Sequence, residues 1–251
     1  MAELPACQKC INPDCAETYD IGQTLAVCPA CGNLVDVVYD WDAVSLPSSR
    51  ERLGSLARSA SDMMKSSGAF RPSDFLALPP GGLCRVSGVW RFGNLLPFAP
   101  EDKRVTIGEG HTQLRPAPKV ADYTGLKREN LWLQYEGLNP SGSFKDNGMA
   151  GAFTHANLVG ACVAACASTG NTSASLAAFA AASNLMRAII FVGEGKIAYG
   201  KLSQALDFGA LTLLVRGDFD DAMARVQEVC REEGIYLVNS LNPFRLEGQK
   251  T

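Results

Sequence analysis

Two groups of residues in this sequence have the types and spacing that chemistry needs. The first is a run of cysteines: five of the nine lie within the first 31 residues, and four form two identical pairs, Cys7-x-x-Cys10 and Cys28-Pro-Ala-Cys31. Two such pairs match a four-thiolate zinc ribbon, each pair giving two sulfurs to one tetrahedral ion. Gly32 suits the turn after the last cysteine, which points backbone amides at a thiolate and favours a residue tolerant of positive φ. Cys15 is a fifth thiol that either replaces Cys10 as a ligand or is free. Four sulfurs leave no open coordination position, so Zn2+ held this way is structural. Disulfide pairing in a secreted domain is the competing reading. The large apolar remainder and a start, Met1 to Cys7, without a basic segment followed by an apolar one both argue against it. Cys84, Cys162, Cys166 and Cys230 lie in apolar company and read as core.

The second group lies in two loops. One reads Leu138-Asn-Pro-Ser-Gly-Ser-Phe-Lys-Asp-Asn-Gly-Met149. A lysine at a helix start, directly behind Pro-Ser-Gly-Ser, feels the positive end of the helix dipole, which favours the neutral amine that a Schiff base requires. The same position also suits a solvated lysine beside a turn. The other loop, Ala167-Ser-Thr-Gly-Asn-Thr-Ser-Ala-Ser175, stacks hydroxyl and amide side chains where a strand meets a helix. Free N–H groups there make a site for carboxylate or phosphate, and equally a well-capped helix. Side by side on one sheet edge, the two loops would set an amine against an anion cradle.

The elements that position these loops follow from periodicity. Strand-like runs at 131–136, 161–167, 187–192, 211–216 and 235–239 alternate with helical stretches at 144–158, 171–184, 196–208 and 219–233. Such alternation predicts right-handed β-α-β units and a mostly parallel sheet, with ligands at the carboxyl ends of its strands. Upstream, residues 34–39 read as a strand, 45–68 suit a helix, and the Pro/Gly-rich passage 71–82 marks a connection. Asn242-Pro243 caps a final helix, and the sequence stops about two turns later. So short a helix has little to pack on, and a truncated chain is expected.

The composition sets limits on function. The chain has 251 residues, 23 Lys+Arg against 26 Asp+Glu, and 47% hydrophobic residues, enough for a real core. Near-balanced charge without a basic run argues against nucleic acid, and no apolar run of about 18 residues offers a membrane span. A cytoplasmic protein is expected. His111 and His155, the only histidines, read as non-catalytic. Trp132, Tyr135, Phe153 and Phe179 read as core.

Asn139-Pro-Ser-Gly-Ser-Phe-Lys-Asp146, Ala167-Ser-Thr-Gly-Asn-Thr172, Gly195-Lys-Ile-Ala-Tyr-Gly-Lys201 and Gly108-Glu-Gly-His-Thr112 together resemble the threonine synthase family. These are pyridoxal-phosphate enzymes with the tryptophan-synthase β-like fold, fold type II. The resemblance runs from about residue 84 to the end, and relatives also carry Cys-rich amino-terminal extensions. It implies a division into a zinc-ribbon-like extension (1–44), a linker with the first part of the large domain (45–129), a small α/β domain carrying the lysine (130–240), and the start of the remaining large domain (241–251). Lys145 resembles the residue that forms the internal aldimine with pyridoxal 5′-phosphate, and Asn171 the amide that binds the cofactor's 3′ oxygen. Ser168, Thr169 and Thr172 resemble the grip on the substrate α-carboxylate, and Asn239, Ser240 and Arg245 the grip on its phosphate. An arginine fork suits a phosphate because it offers paired donors.

The implied substrate is O-phosphohomoserine, converted with water to threonine and phosphate. The implied assembly is a homodimer when full length. The glycine-rich loop for the cofactor phosphate and the partner of the pyridine nitrogen would lie beyond Thr251. The chain departs from the family pattern at Asn147, where relatives carry Arg, and at Gln113, where they carry Pro; both positions adjoin the signatures without belonging to them. Two other readings share many of these features: a cysteate synthase acting on phosphoserine, and a non-catalytic zinc-ribbon binding module.

Overall fold

The computed structural model describes residues 4–44, 87–194 and 198–251. The expected helix over 45–68, the passage 71–82, Cys84 and residues 195–197 of the Gly195–Lys201 motif lie outside the described residues. The chain opens with a three-stranded antiparallel sheet of β1 (Ala6–Cys10), β2 (Thr18–Asp20) and β3 (Val35–Tyr39), in the order β2-β1-β3. Its turns gather cysteines over a small core of Cys10, Cys28 and Val35.

Next come β4 (Gln113–Pro116), α1 (Pro118–Thr124) and β5 (Trp132–Tyr135). The expected strand at 131–136 therefore forms, but it does not join the parallel sheet. It pairs antiparallel with β4, Gln113 opposite Tyr135 and Pro116 opposite Trp132. Trp132 and Tyr135 are half exposed on this two-stranded ribbon and are not core residues.

From residue 145 the expected alternation holds: α2 (Lys145–Leu158), β6 (Val163–Ala167), α3 (Asn171–Ser183), β7 (Arg187–Gly193), α4 (Tyr199–Asp207), β8 (Leu211–Val215), α5 (Phe219–Glu233), β9 (Tyr236–Leu237) and α6 (Pro243–Gln249). The four strands run parallel in the order β8-β7-β6-β9. Because side chains alternate along a strand, each strand serves two cores. Ala164, Cys166, Ala188, Ile190 and Val192 pack with Met149, Phe153, Leu176 and Phe179 of α2 and α3. Ala165, Ala167 and Phe191 pack on the other face with Ala222, Val226 and Cys230 of α5. Helices on both faces explain why β6 is nearly all small and apolar. Among the described residues no helix is long and apolar enough to cross a membrane.

Helix α2 is buried from Asp146 to Ala156, because it packs against both α6 and α3 and also meets the cysteine-rich sheet at one point. His155 makes that junction. Its Nε2 donates to the Ile21 carbonyl at 2.7 Å, and its Nδ1 then accepts from the Tyr236 hydroxyl at 2.7 Å. The ring stacks on Phe244 at 3.5 Å between centroids. A second tie joins β3 to α6, where the Tyr39 hydroxyl donates to buried Glu247 at 2.6 Å.

Burial lowers the His155 pKa from 6.5 to about 4, so the folded chain binds fewer protons than the unfolded chain between those values. Its contribution to stability is complete above about pH 6.5 and is lost as the pH falls toward 4, amounting to about 3 kcal/mol. Urea unfolding at a series of pH values is expected to show this acid limb. His155→Gln, which keeps one donor and one acceptor, should flatten it.

Candidate active site and cysteine cluster

The loops that end β6 and β9 and the one that begins α2 come together at one end of the parallel sheet. Lys145 is the first residue of α2, half-buried, with its Nζ 4.0 Å from the centre of the Phe144 ring. Desolvation lowers its pKa, and the positive charge of Arg245 lowers it further. Arg245 belongs to the first turn of α6, which Asn242 caps by accepting from the Arg245 N–H at 3.1 Å. Although only 1% exposed, it pairs with no carboxylate among the described residues. Nη1 donates to the Val238 carbonyl at 2.9 Å, Nη2 reaches Thr172 Oγ1 at 3.5 Å, and buried Nε has no partner among the described residues. A buried cation satisfied only in part by neutral oxygens is costly unless an anion completes it.

The N-terminus of α3 faces the same region. Its N-cap, Gly170, supplies no side chain, so among the described residues no side chain caps the first-turn N–H groups. The helix opens with exposed Asn171 and half-buried Thr172. Ser168 is fixed by donating its N–H to the Phe191 carbonyl at 3.1 Å, and its Oγ accepts from the Gly170 N–H at 3.2 Å. Thr169 is half-buried on the same turn.

Asn239 is used differently from what its sequence position suggested. Its amide is fully engaged with the Ala167 backbone, accepting from N–H at 3.0 Å and donating to C=O at 2.9 Å. It braces the end of β9 to the end of β6, while Ser240 beside it is exposed. Of the residues singled out in sequence, Lys145, Thr172 and Arg245 are thus brought together, with Ser168, Thr169 and Asn171 on the adjoining turn.

Two glycine contacts set the Lys145–Arg245 approach. A Cβ on Gly151 of α2 would lie 2.2 Å from the Phe244 carbonyl oxygen, and one on Gly248 of α6 would lie 2.0 Å from that of Asn147. Only glycine allows the two helices to touch through their backbones here.

Sequence reasoning missed a polar scaffold beneath the lysine loop. The Gly110 N–H donates to Asn139 Oδ1 at 2.8 Å, and Asn139 Nδ2 donates to Glu136 Oε2 at 2.8 Å. Buried Glu109 accepts from Ser87 and Thr106. The presence of Asn139 and Glu109 inside quoted motifs was the available signal.

The cysteine cluster corrects the sequence expectation. The sulfurs of Cys10, Cys15, Cys28 and Cys31 all lie within 4.8 Å of one another, and Cys7 is not among them. Residues 6–10 form a strand, so Cys7 and Cys10, three apart, project to opposite faces. Cys15, on the turn after β1, takes the fourth place. Cys10 and Cys31 sulfurs are 3.4 Å apart and those of Cys15 and Cys28 are 3.8 Å apart. Sulfurs about 2.3 Å from a tetrahedral zinc would be about 3.8 Å apart, so the donor set fits a metal. Gly32 adopts the expected left-handed turn, φ 74°. The Asn33 N–H and side chain bring Cys31 down to about 6, and a hydrogen bond from Tyr19 at 3.1 Å lowers Cys28; both favour thiolate.

A parallel sheet with helices on both faces, a lysine at a helix start and a buried arginine that pairs with no carboxylate among the described residues define an α/β architecture with basic groups gathered at one end of its sheet. The chain belongs to the pyridoxal-phosphate-dependent enzymes: that family's model matches residues 105–251. It is 41% identical over 244 residues to the threonine synthase of Methanocaldococcus jannaschii, an alignment covering 97% of this chain and 52% of that protein. Against the threonine synthase of Methanosarcina acetivorans it is 39% identical over 243 residues, 97% and 51% of the two chains. Against that of Bacillus sp. (strain ULM1) it is 47% identical over 161 residues, 64% and 45%. The chain spans about half the length of these curated relatives.

Gly151→Ala should push α6 away from α2 and carry Arg245 from Lys145. Denaturant unfolding is expected to show a loss of about 1–3 kcal/mol, as for overpacked cores. Competitive acylation should show the Lys145 amine losing its proton at higher pH than in the parent chain.

Proposed function

We propose that this chain carries the lysine-bearing part of a threonine synthase site, one that converts O-phosphohomoserine and water to threonine and phosphate. The observation that carries this reading is Arg245: a guanidinium 1% exposed, without a carboxylate partner among the described residues, whose charge acts on the Lys145 amine. Such a site is incomplete until a dianion such as phosphate enters it. The likeness to threonine synthases over 97% of the chain points the same way.

In this reading Lys145 would hold the carbonyl of pyridoxal phosphate, and Asn171 would bind the cofactor's 3′ oxygen. The lowered pKa of Lys145 suits that attachment, because a neutral amine is the nucleophile. When bound, the cofactor supplies an electron sink for the bonds at the substrate's Cα. Ser168, Thr169 and Thr172, with the N–H groups that open α3, orient the substrate carboxylate. The Lys145 amine would move protons at the substrate's Cα and Cβ as base and acid. Arg245, with Ser240 and the turn braced by Asn239, holds the phosphate that leaves from Cγ. In the amino-terminal sheet, Cys10, Cys15, Cys28 and Cys31 hold a structural Zn2+.

Adding pyridoxal phosphate, reducing with borohydride and mapping peptides is expected to place the pyridoxyl group on Lys145 alone. Reaction at other lysines in preference to Lys145 would reject the assignment. Phosphate release from O-phosphohomoserine, and not from phosphoserine, is the matching test of substrate, and the reverse preference would favour a cysteate synthase. Metal analysis of the purified chain should find about one zinc, which Cys15→Ser abolishes and Cys7→Ser leaves.

A further inference from the structure

We propose that Asp146 is a positioning residue that fixes where the Lys145 amine stands, acting as a clamp between the loop before α2 and the first turns of α3. The proposal rests on the cofactor role of Lys145 given above, and its observations are geometric. Asp146 is fully buried and directly follows Lys145 in the first turn of α2. One carboxylate oxygen accepts the Ser141 N–H at 2.7 Å. The other accepts the hydroxyls of Ser141 and of Ser175, each at 2.5 Å. Ser175 lies on α3, whose N-terminus forms the anion side of the site.

Ser141 is gripped from a third direction as well, since its carbonyl accepts from Lys201 Nζ of α4 at 2.8 Å. The intervening turn passes through Gly142 at φ 82°, a conformation that an L side chain strains to adopt. A single buried carboxylate therefore ties together the loop that delivers the lysine, the helix that bears it and the helix that receives the ligand. Three donors converging on one acidic side chain define the loop geometry far more tightly than a helix cap requires. Displacement of a reacting group by about an ångström is enough to cost a large factor in rate.

The clamp can act by position or merely by its charge, and the two have opposite signs. Removing a nearby anion would lower the pKa of the Lys145 amine, because it leaves the positive charge of Arg245 unopposed. Loss of position would let the amine drift from Arg245 and out of its desolvated place, and would raise its pKa. Competitive acylation of Lys145 over a range of pH, read by mass spectrometry without any cofactor, separates the two. The expected result for Asp146→Asn is an upward shift of the Lys145 midpoint, with pyridoxyl adduct formation slowed about tenfold or more.

Ser175→Ala keeps the carboxylate and removes one of its three donors. It should shift the midpoint in the same direction by a smaller amount, and it decides the matter if Asp146→Asn does not fold. A midpoint that stays at the parent value in both variants, or moves down in Asp146→Asn, overturns the proposal. Because the acylation profile needs no cofactor, a parent chain that forms no adduct at Lys145 would reject the cofactor reading while leaving the clamp to be judged on its own.

Discussion

The burial of the Arg245 guanidinium, with no carboxylate paired to it among the described residues, is the interaction on which the rest of this structure depends. Moving an unpaired charge out of water is among the costlier things a fold can do, and here it is done beside a second cation-forming group, Lys145. The fold supports it with neutral oxygens, those of Val238 and Thr172, which leave Nε bare. The two basic side chains sit on helices that touch through Gly151 and Gly248. Neither helix can retreat without opening that contact. The resulting strip of positive potential ends at the N-terminus of α3, whose dipole adds to it.

The surrounding polar groups brace this arrangement. Asn239 joins β9 to β6 through both halves of its amide, so the turn before Arg245 is held to the strand that leads into the Ser168–Gly170 turn. Asp146, Asn139 and Glu109 do the same for the lysine loop. The cysteine-rich sheet is anchored at the back of α2 and α6, where His155 bonds to Ile21 and stacks on Phe244, the neighbour of Arg245.

The alternation of strands and helices after residue 145 was legible in the sequence because each element carries its own period and its own stop signal, such as Gly234 after α5. The run 131–136 was read as a strand correctly but given the wrong partner. Its true partner, β4, is only four exposed residues long and contains Pro116, so little local announced it. The cysteine pairing failed for a similar reason. Spacing alone treats Cys7-x-x-Cys10 as a turn, whereas pairing with β2 and β3 makes it a strand and hands the fourth place to Cys15. Lys145 and Arg245 were singled out through motif resemblance, and the fold brings them near enough for one charge to act on the other. The clamp at Asp146 was not, since an acidic residue in the first turn of a helix ordinarily reads as a solvated partner of the dipole.

The central claim is that Arg245 completes itself with an anion. The most direct measurement is calorimetric titration of the chain with inorganic phosphate, beside the Arg245→Met variant and a second titration of each at raised salt. The account predicts saturable binding to the parent chain that the substitution abolishes and that salt weakens. Equal binding by the parent and the variant, or no binding by a folded parent chain, would contradict it.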